Sequence, residues 1–577
     1  MINRYYQQQL QNIRELAREF SERHPAAAPM LSGESADPDV ERLLEGVAFL
    51  TGLLRQKLDD DLPEIIHGLA DILFPHFLRP IPATSIVTFS PKPSLKETFK
   101  VKRGTTLGSR PIDETVCLFQ TCFDVEVHPF RISSVRNIIE PGEPDKIQIQ
   151  LESNGLPLSQ WRSNSLTFYL GGSFSQASDL FMLLNRYLKR IVVNPLEGGE
   201  PFILTPDSIR PIGFDQRCNL LPFPSQVFSG YRLLQEYFIL PHKFLFLELS
   251  GLDGWYNRGD GTSFEIIFEI SPAPVPTPEV GTENFVLFST PVINLFPHEA
   301  DPISLDHTQD KVRVRPSTTG AIHLLVYSVD KVIGYTEGTV EKRIYVPFNL
   351  FSRQSDKDAF YQVIHSMSPI TNEPETFIRL TYPDTNEEPA RETLSITLTC
   401  TNGSLPERLQ LGDICEQTSD SPELLTFQNI IPVTAPIDPP LGKNGLWKLL
   451  SHLSLNFLSL ADVEGLKELL SLYVFPEGRD KVKIAANLKR IEGIGEISIV
   501  PTDRLVHGLM LRGQEITLTI RQDCFASLGD LYIFGSVMDE FFSEYSSMNS
   551  FTHLRIKEPI SGEILEWPER IGDRPLI

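Results

Sequence analysis

Cysteine is scarce in this chain: 577 residues hold six, at Cys117, Cys122, Cys218, Cys400, Cys415 and Cys524, with no CxxC pair among them. So sparse a set excludes a disulfide framework and suits a reducing compartment. Long apolar runs are missing too, and nothing approaches the roughly 18–20 residues that a membrane-spanning helix needs. Residues 1–24 are polar and mixed in charge, unlike a secretory signal. With Met1 read as the native start, the expectation is a soluble cytoplasmic protein. Positive charge is in deficit: 52 Lys and Arg against 75 Asp and Glu leave a net charge of -23. Such a surface repels phosphate backbones and anionic lipid, which excludes nucleic acid as a partner and direct adhesion to a membrane. Tandem repeats and low-complexity tracts are absent.

Catalytic signatures are missing as well. Gly442-Lys443 has Ile437 where a phosphate-binding loop needs glycine and Asn444 where it needs Ser or Thr. Ile491–Glu496 is too short for a dinucleotide fingerprint, and there is no GxSxG elbow. Asp59, Asp60 and Asp61 precede Pro63 and read as helix-capping acids, since the following residues lack the ligands of a calcium loop. His452, in an apolar helix, reads as a core or interface histidine. His298, Asp301 and His307 allow a metal-dependent hydrolase to be drawn as the rival reading. There is no HExxH helix, however, and Pro297 and Pro302 break the segment into what reads as a solvated turn. No catalytic residue, metal or cofactor is assigned.

What is there is an ordinary globular balance, 41% hydrophobic and 22% charged, in a chain long enough for three or four domains. The opening residues read as helices. Leu10, Ile13, Ala17 and Phe20 recur at helical spacing, and Pro25 ends the run. Asp37-Pro38 opens a second helix with Leu43, Val47, Leu50 and Leu54 in its stripe, and Pro63 opens a third, carrying Ile65, Ile66 and Leu69. From Ala83 the period falls to two. FEIIFEI sets Phe264, Ile266, Phe268 and Ile270 against Glu265 and Glu269, and ETLSITLTC sets Leu394, Ile396, Leu398 and Cys400 against Thr and Ser. Proline-rich spacers at Ser271–Val280 and Ile431–Pro440 suggest boundaries. Helices return in LWKLLSHLSLNFLSL and after Asp462, strands in GEISIV and QEITLTI, and a last helix is predicted from Gly535 to about Met548.

The fold class is therefore α+β and multi-domain: an N-terminal helical segment (1–82), two β-rich antiparallel, sandwich-like domains (83–275 and 276–430) and an α+β C-terminal domain (431–577). The amphipathic helices carry the positive signal. A helix of about twenty residues is unstable alone in water, and each Leu, Ile or Phe it buries contributes roughly 1.5–3 kcal/mol. These helices either pack on one another or lend their stripes to another chain.

The opening SADPDVERLLEGVAFLTGLLRQKLDDDLPEI and LFPHFLRPIP, the middle GYRLLQEYFILPHKFLFLEL and TPVINLFPHEADPISLDH, and the closing FGSVMDEFFSEYSSMNSF and WPERIGDRPLI resemble the TssF family (VasA, ImpG) of type VI secretion baseplates, in family order along almost the whole chain. The resemblance implies a structural wedge subunit rather than an enzyme. It implies two copies joined to one TssG-type subunit, with TssK and TssE completing the wedge, neighbouring wedges around a VgrG hub, and the membrane reached only indirectly. It points to Leu10, Ile13, Phe20, Leu43, Val47, Leu50 and Leu54 as partner contacts, with Tyr231, Leu234, Tyr237 and Phe238 as a second group that reads equally well as core. A wedge protein of another contractile particle is the runner-up.

Overall fold

The computed structural model describes residues 4–23, 39, 41–52, 68, 74–223, 229–305, 309–317, 323–336, 342–348, 359–368, 374–382, 391–440, 462–475, 478–506, 508–544, 546 and 550–572. The helices expected at 446–460 and, save for Gly68, at 63–73 lie outside these residues, as do Asp59–Asp61 and His452.

The strand Thr84–Pro91 organises the first sheet. Val87 faces Thr290 of Ser289–Ile293 on one side and Asn429 of Leu425–Asn429 on the other. Leu118–Thr121 and Thr106–Gly108 complete the five strands. A second five-stranded sheet centres on Ser263–Ile270, flanked by Asp145–Ser153 and Leu188–Pro195. Phe264, Ile266, Phe268 and Ile270 all point into its core, as the alternation predicts. On the outer face Glu269 accepts two hydrogen bonds from Arg190, at 2.7 and 2.8 Å. A four-stranded sheet runs beside it in the order Ile209–Pro211, Phe246–Leu249, Leu166–Leu170 and Phe285–Leu287.

Residues 296–401 form a separate body. Its strands run Phe296–Glu299, Glu392–Thr401, Leu325–Thr336, Lys342–Pro347, Ala359–Met367, Pro374–Thr381 and Val312–Val314. The two ends then meet: Ala300 bridges Pro316, and the Ser317 amide donates to the Glu299 carbonyl at 2.9 Å. The sheet thus closes on itself around Leu394, Ile396, Leu398, Cys400, Val332, Tyr345 and Ile378, an apolar cluster of its own. A larger cluster runs from Phe77 to Trp567, takes in most of the other buried hydrophobic residues and reaches Tyr327 within 296–401. The two clusters part near residues 296 and 401. The proline-rich spacers are packed segments: Val275, Val280, Ile431, Val433 and Ile437 lie against the larger cluster.

At the C-terminal end, Ile494–Val506 and Leu509–Ile520 form a long hairpin. Its second strand runs parallel to Ser550–Lys557, and the helix Leu528–Ser543 makes the crossover that parallel pairing requires. This helix begins seven residues before the predicted Gly535. Ser527 caps it, accepting from the Asp530 amide at 3.2 Å, so the two turns before Gly535 belong to the helix as well. Val537, Phe541, Phe534, Met538 and Phe542 are buried on both sides of it, and Tyr545 and Met548 lie outside the described residues. Asp462 caps the helix Val463–Leu472 as expected, accepting from the Gly465 amide at 3.4 Å.

Candidate interaction surface

The two described N-terminal helices are Arg4–Arg23 and residues 41–52. Ala17 on the first and Ala48 on the second are buried, and Tyr6 meets Phe49 edge-on at 6.3 Å across the pair. Arg14 pairs with Glu41 at 2.9 Å in the open, a bond worth roughly 0–1 kcal/mol that aligns the helices more than it stabilises them. Leu43 is 69% exposed, Val47 41% and Leu50 62%, one stripe at i, i+4 and i+7. Leu16 and Phe49 are exposed as well. Leu10 and Ile13 are half-buried on the first helix. The side chains of Phe20 and Leu54 lie outside the described residues. A free apolar stripe of this kind is unusual on a surface that faces only water.

The chain is next anchored at the turn Pro75–Phe77. His76 is buried and stacks on Tyr231 and Tyr473, with its Nε2 3.2 Å from the Tyr473 hydroxyl. Phe77 meets the Tyr473 ring edge-on. Tyr231 opens the second group, which the sequence reads equally well as contact or core. Tyr231, Leu234, Tyr237 and Phe238 lie on the helix Ser229–Ile239, and all four are buried within the chain itself. The helix is covered on its several sides by the crossover helix, by Tyr473 and by the turn Pro241–Leu245, so these side chains serve the core.

The charges on this helix were missed in the sequence. Arg232 and Glu236, four residues apart within GYRLLQEYF, are both buried, and Lys243 contacts the Glu236 carboxylate. Glu236 also accepts from the amides of Leu220 at 2.8 Å and Leu221 at 3.2 Å, with Arg232 at 3.9 Å. Burial pushes its carboxyl up, but the two cations and these bonds outweigh it and hold Glu236 below the usual carboxylate range. Every partner is internal, so the cluster organises the core. The signal available beforehand was the Arg–Glu pair at i, i+4 inside an otherwise apolar block.

His298 lies on the strand Phe296–Glu299, with its Nε2 3.0 Å from the Ser317 carbonyl. The Asp301 amide donates to the Arg315 carbonyl, and His307 lies outside the described residues. Among the described residues no three of His, Cys, Asp and Glu gather as metal ligands. Among the same residues no helix is long and apolar enough to cross a membrane.

The type VI secretion family TssF matches residues 1–574. A type VI secretion component of Pseudomonas aeruginosa, TssF1, is 32% identical over 627 aligned positions, covering 99% of this chain and 98% of the relative. Among solved structures, a chain of the TssK-TssF-TssG baseplate subcomplex seen by cryo-electron microscopy superposes with a TM-score of 0.78 at 31% identity, covering 93% of this chain and 99% of that one. A chain of the type VI secretion baseplate complex gives a TM-score of 0.62 at 25% identity, covering 99% of this chain and 100% of that one. On these full-length likenesses the chain belongs to the TssF family of type VI secretion baseplate components, a structural family.

Proposed function

We propose that the chain is a wedge subunit that binds a TssG-type and a TssK-type partner, with the stripe Leu43, Val47 and Leu50 as its seat for TssG-type helices. The observation that carries this reading is the exposure of that stripe, three large apolar residues at i, i+4 and i+7 of one helix. The names of the solved subcomplex support the partners. Leu10, Ile13, Phe20 and Leu54 extend the seat by their spacing. Two copies per TssG-type subunit, TssE and neighbouring wedges around a VgrG hub complete the arrangement, and the baseplate reaches the inner membrane through its other components. The role is cytoplasmic and mechanical: the sheet-rich parts act as arms, and sheath contraction shifts the wedge between packed arrangements.

The test is co-purification with TssG- and TssK-type subunits. Leu43→Asp and Leu50→Asp, at exposed positions, leave the folded chain within about 0.5 kcal/mol of the parent and abolish the complex. Leu234→Ala, wholly buried, costs about 2–5 kcal/mol of stability. Complexes of undiminished yield from the two Asp variants would remove the stripe from the interface.

A further inference from the structure

The closed sheet of residues 296–401 fills its interior with its own apolar cluster. Apolar residues on its outside therefore have no core of this body to join. Yet Ile344 is 63% exposed and Phe348 43%, with Val346 between them on the same side of the strand Lys342–Pro347 and its continuation. The registry extends this row in both directions. Tyr335, also exposed, lies opposite Lys342, and Phe360 is the parallel neighbour of Val346. The result is one contiguous apolar patch across three strands, the kind that marks a contact site rather than scattered surface leucines.

Two observations say what covers it. The first is continuity. Gly68, the described residue between 53 and 73, approaches Gln362, two residues beyond Phe360 on the same outer face, so closely that a Cβ there would lie 3.3 Å from Gln362 Nε2. Helical backbone from the N-terminal region already rests on this face, at the border of the open patch. The second is charge. In a chain of net charge -23, the patch is rimmed by exposed Lys331 and by Lys342, whose ammonium stands over the Tyr335 ring at 5.6 Å. Among the described residues, the acid next to Lys331 is turned aside: Asp330 accepts from Thr399 at 2.6 Å and from Ser328 at 2.7 Å.

We infer that this face of the closed sheet is a second docking surface, and that its occupant is an amphipathic helix of a partner subunit with carboxylates flanking its apolar stripe. The backbone already on this face decides the shape of the occupant: Gly68 is helical, so a partner that continues that layer lies across the face as a helix does. The lysines decide its charge. The inference rests on the reading that the chain binds TssG- and TssK-type subunits.

Ile344→Cys and, as a control, Val482→Cys, 82% exposed on the helix Lys481–Glu492, report the cover. Each variant is labelled with a maleimide, alone and in the complex co-purified with TssG- and TssK-type subunits, and the modified peptide is followed by mass spectrometry. In the complex, labelling at 344 slows at least tenfold while that at 482 is unchanged, and Lys331→Glu with Lys342→Glu weakens the complex at least tenfold at low salt. Equal labelling at 344 in the free chain and the complex overturns this inference and leaves the N-terminal seat standing. Protection that appears in the isolated chain as its concentration rises means a second copy is the occupant and also overturns it. Failure of any complex to form overturns both readings.

Discussion

Arg490 grips the carboxylate of Asp530 with two donors, Nη2 at 2.9 Å and Nε at 3.2 Å, in the middle of the larger core. The Tyr237 hydroxyl donates to the other carboxylate oxygen at 3.3 Å, and the Ala526 amide to the same one as Arg490 at 3.0 Å. One carboxylate thus ties the helices Lys481–Glu492 and Leu528–Ser543 to the buried helix Ser229–Ile239.

Removing it leaves a buried guanidinium and a buried hydroxyl without their acceptor. Asp530→Ala is expected to cost about 3–5 kcal/mol, the usual penalty for breaking one side of a buried pair. Urea unfolding of the variant against the parent measures it. A loss under about 1 kcal/mol would mean that water or a shifted side chain replaces the carboxylate.

Asp539 makes stability depend on pH. Burial pushes its carboxyl up to about 6 although Arg570 contacts it and opposes the shift. The folded chain therefore holds a proton there in the range where the unfolded chain, with an ordinary aspartate near 3.8, has released it. The sign follows: the folded state gains stability as pH falls through about 6, and the gain is complete below the unfolded value. Asp539→Asn lacks this contribution. Parent minus variant stability is expected to rise by about 1.4 kcal/mol for each pH unit between 6 and 4. Unfolding midpoints at pH 7.5 and at pH 5 test it, and a difference that stays flat would place the titration elsewhere.

Gly529→Ala tests how closely two helices pack. A Cβ at 529 would lie 2.2 Å from the backbone carbonyl of Ser178 on the helix Phe174–Arg186. Alanine improves helix propensity by about 1 kcal/mol, but backbone cannot swing aside as a side-chain tip can. Overpacking of about 1–3 kcal/mol or more wins, and thermal unfolding should show a lower midpoint. A raised midpoint would mean that the two helices slide apart freely.

Much of this architecture is legible before any coordinates, for identifiable reasons. Alternation exposes one face of each strand, so Phe264–Ile270 and Leu394–Cys400 are readable from period alone. Asp462 is readable because a cap is a local contact. The chemistry of sheet partners is not local. Thr84–Pro91 meets Leu425–Asn429 across most of the chain, and no window of sequence contains both. The same distance hides the closed sheet, whose limits near 296 and 401 carry no turn signal stronger than the packed proline spacers nearby. The candidate surface divides along similar lines. Leu43, Val47 and Leu50 share a helical period with Leu234 and Tyr237, so pattern treats them alike, and only packing separates a stripe left open from one sealed inside. Arg232, Glu236 and Lys243 stayed unread because a charge in an apolar run has no visible partner until the chain folds.

The pairing of Thr84–Pro91 with Leu425–Asn429 also sets a timetable for birth on the ribosome. At roughly 5–20 residues per second, the first strand waits about 20–70 s for its late neighbour to be synthesised. The closed sheet emerges whole within that interval, so a nascent chain carries a finished compact body suspended between two halves of an unfinished one. Until residue 429 clears the exit tunnel, the bare edge of Thr84–Pro91 is open to mispairing, and a chaperone that shields it during translation protects the yield of the whole molecule.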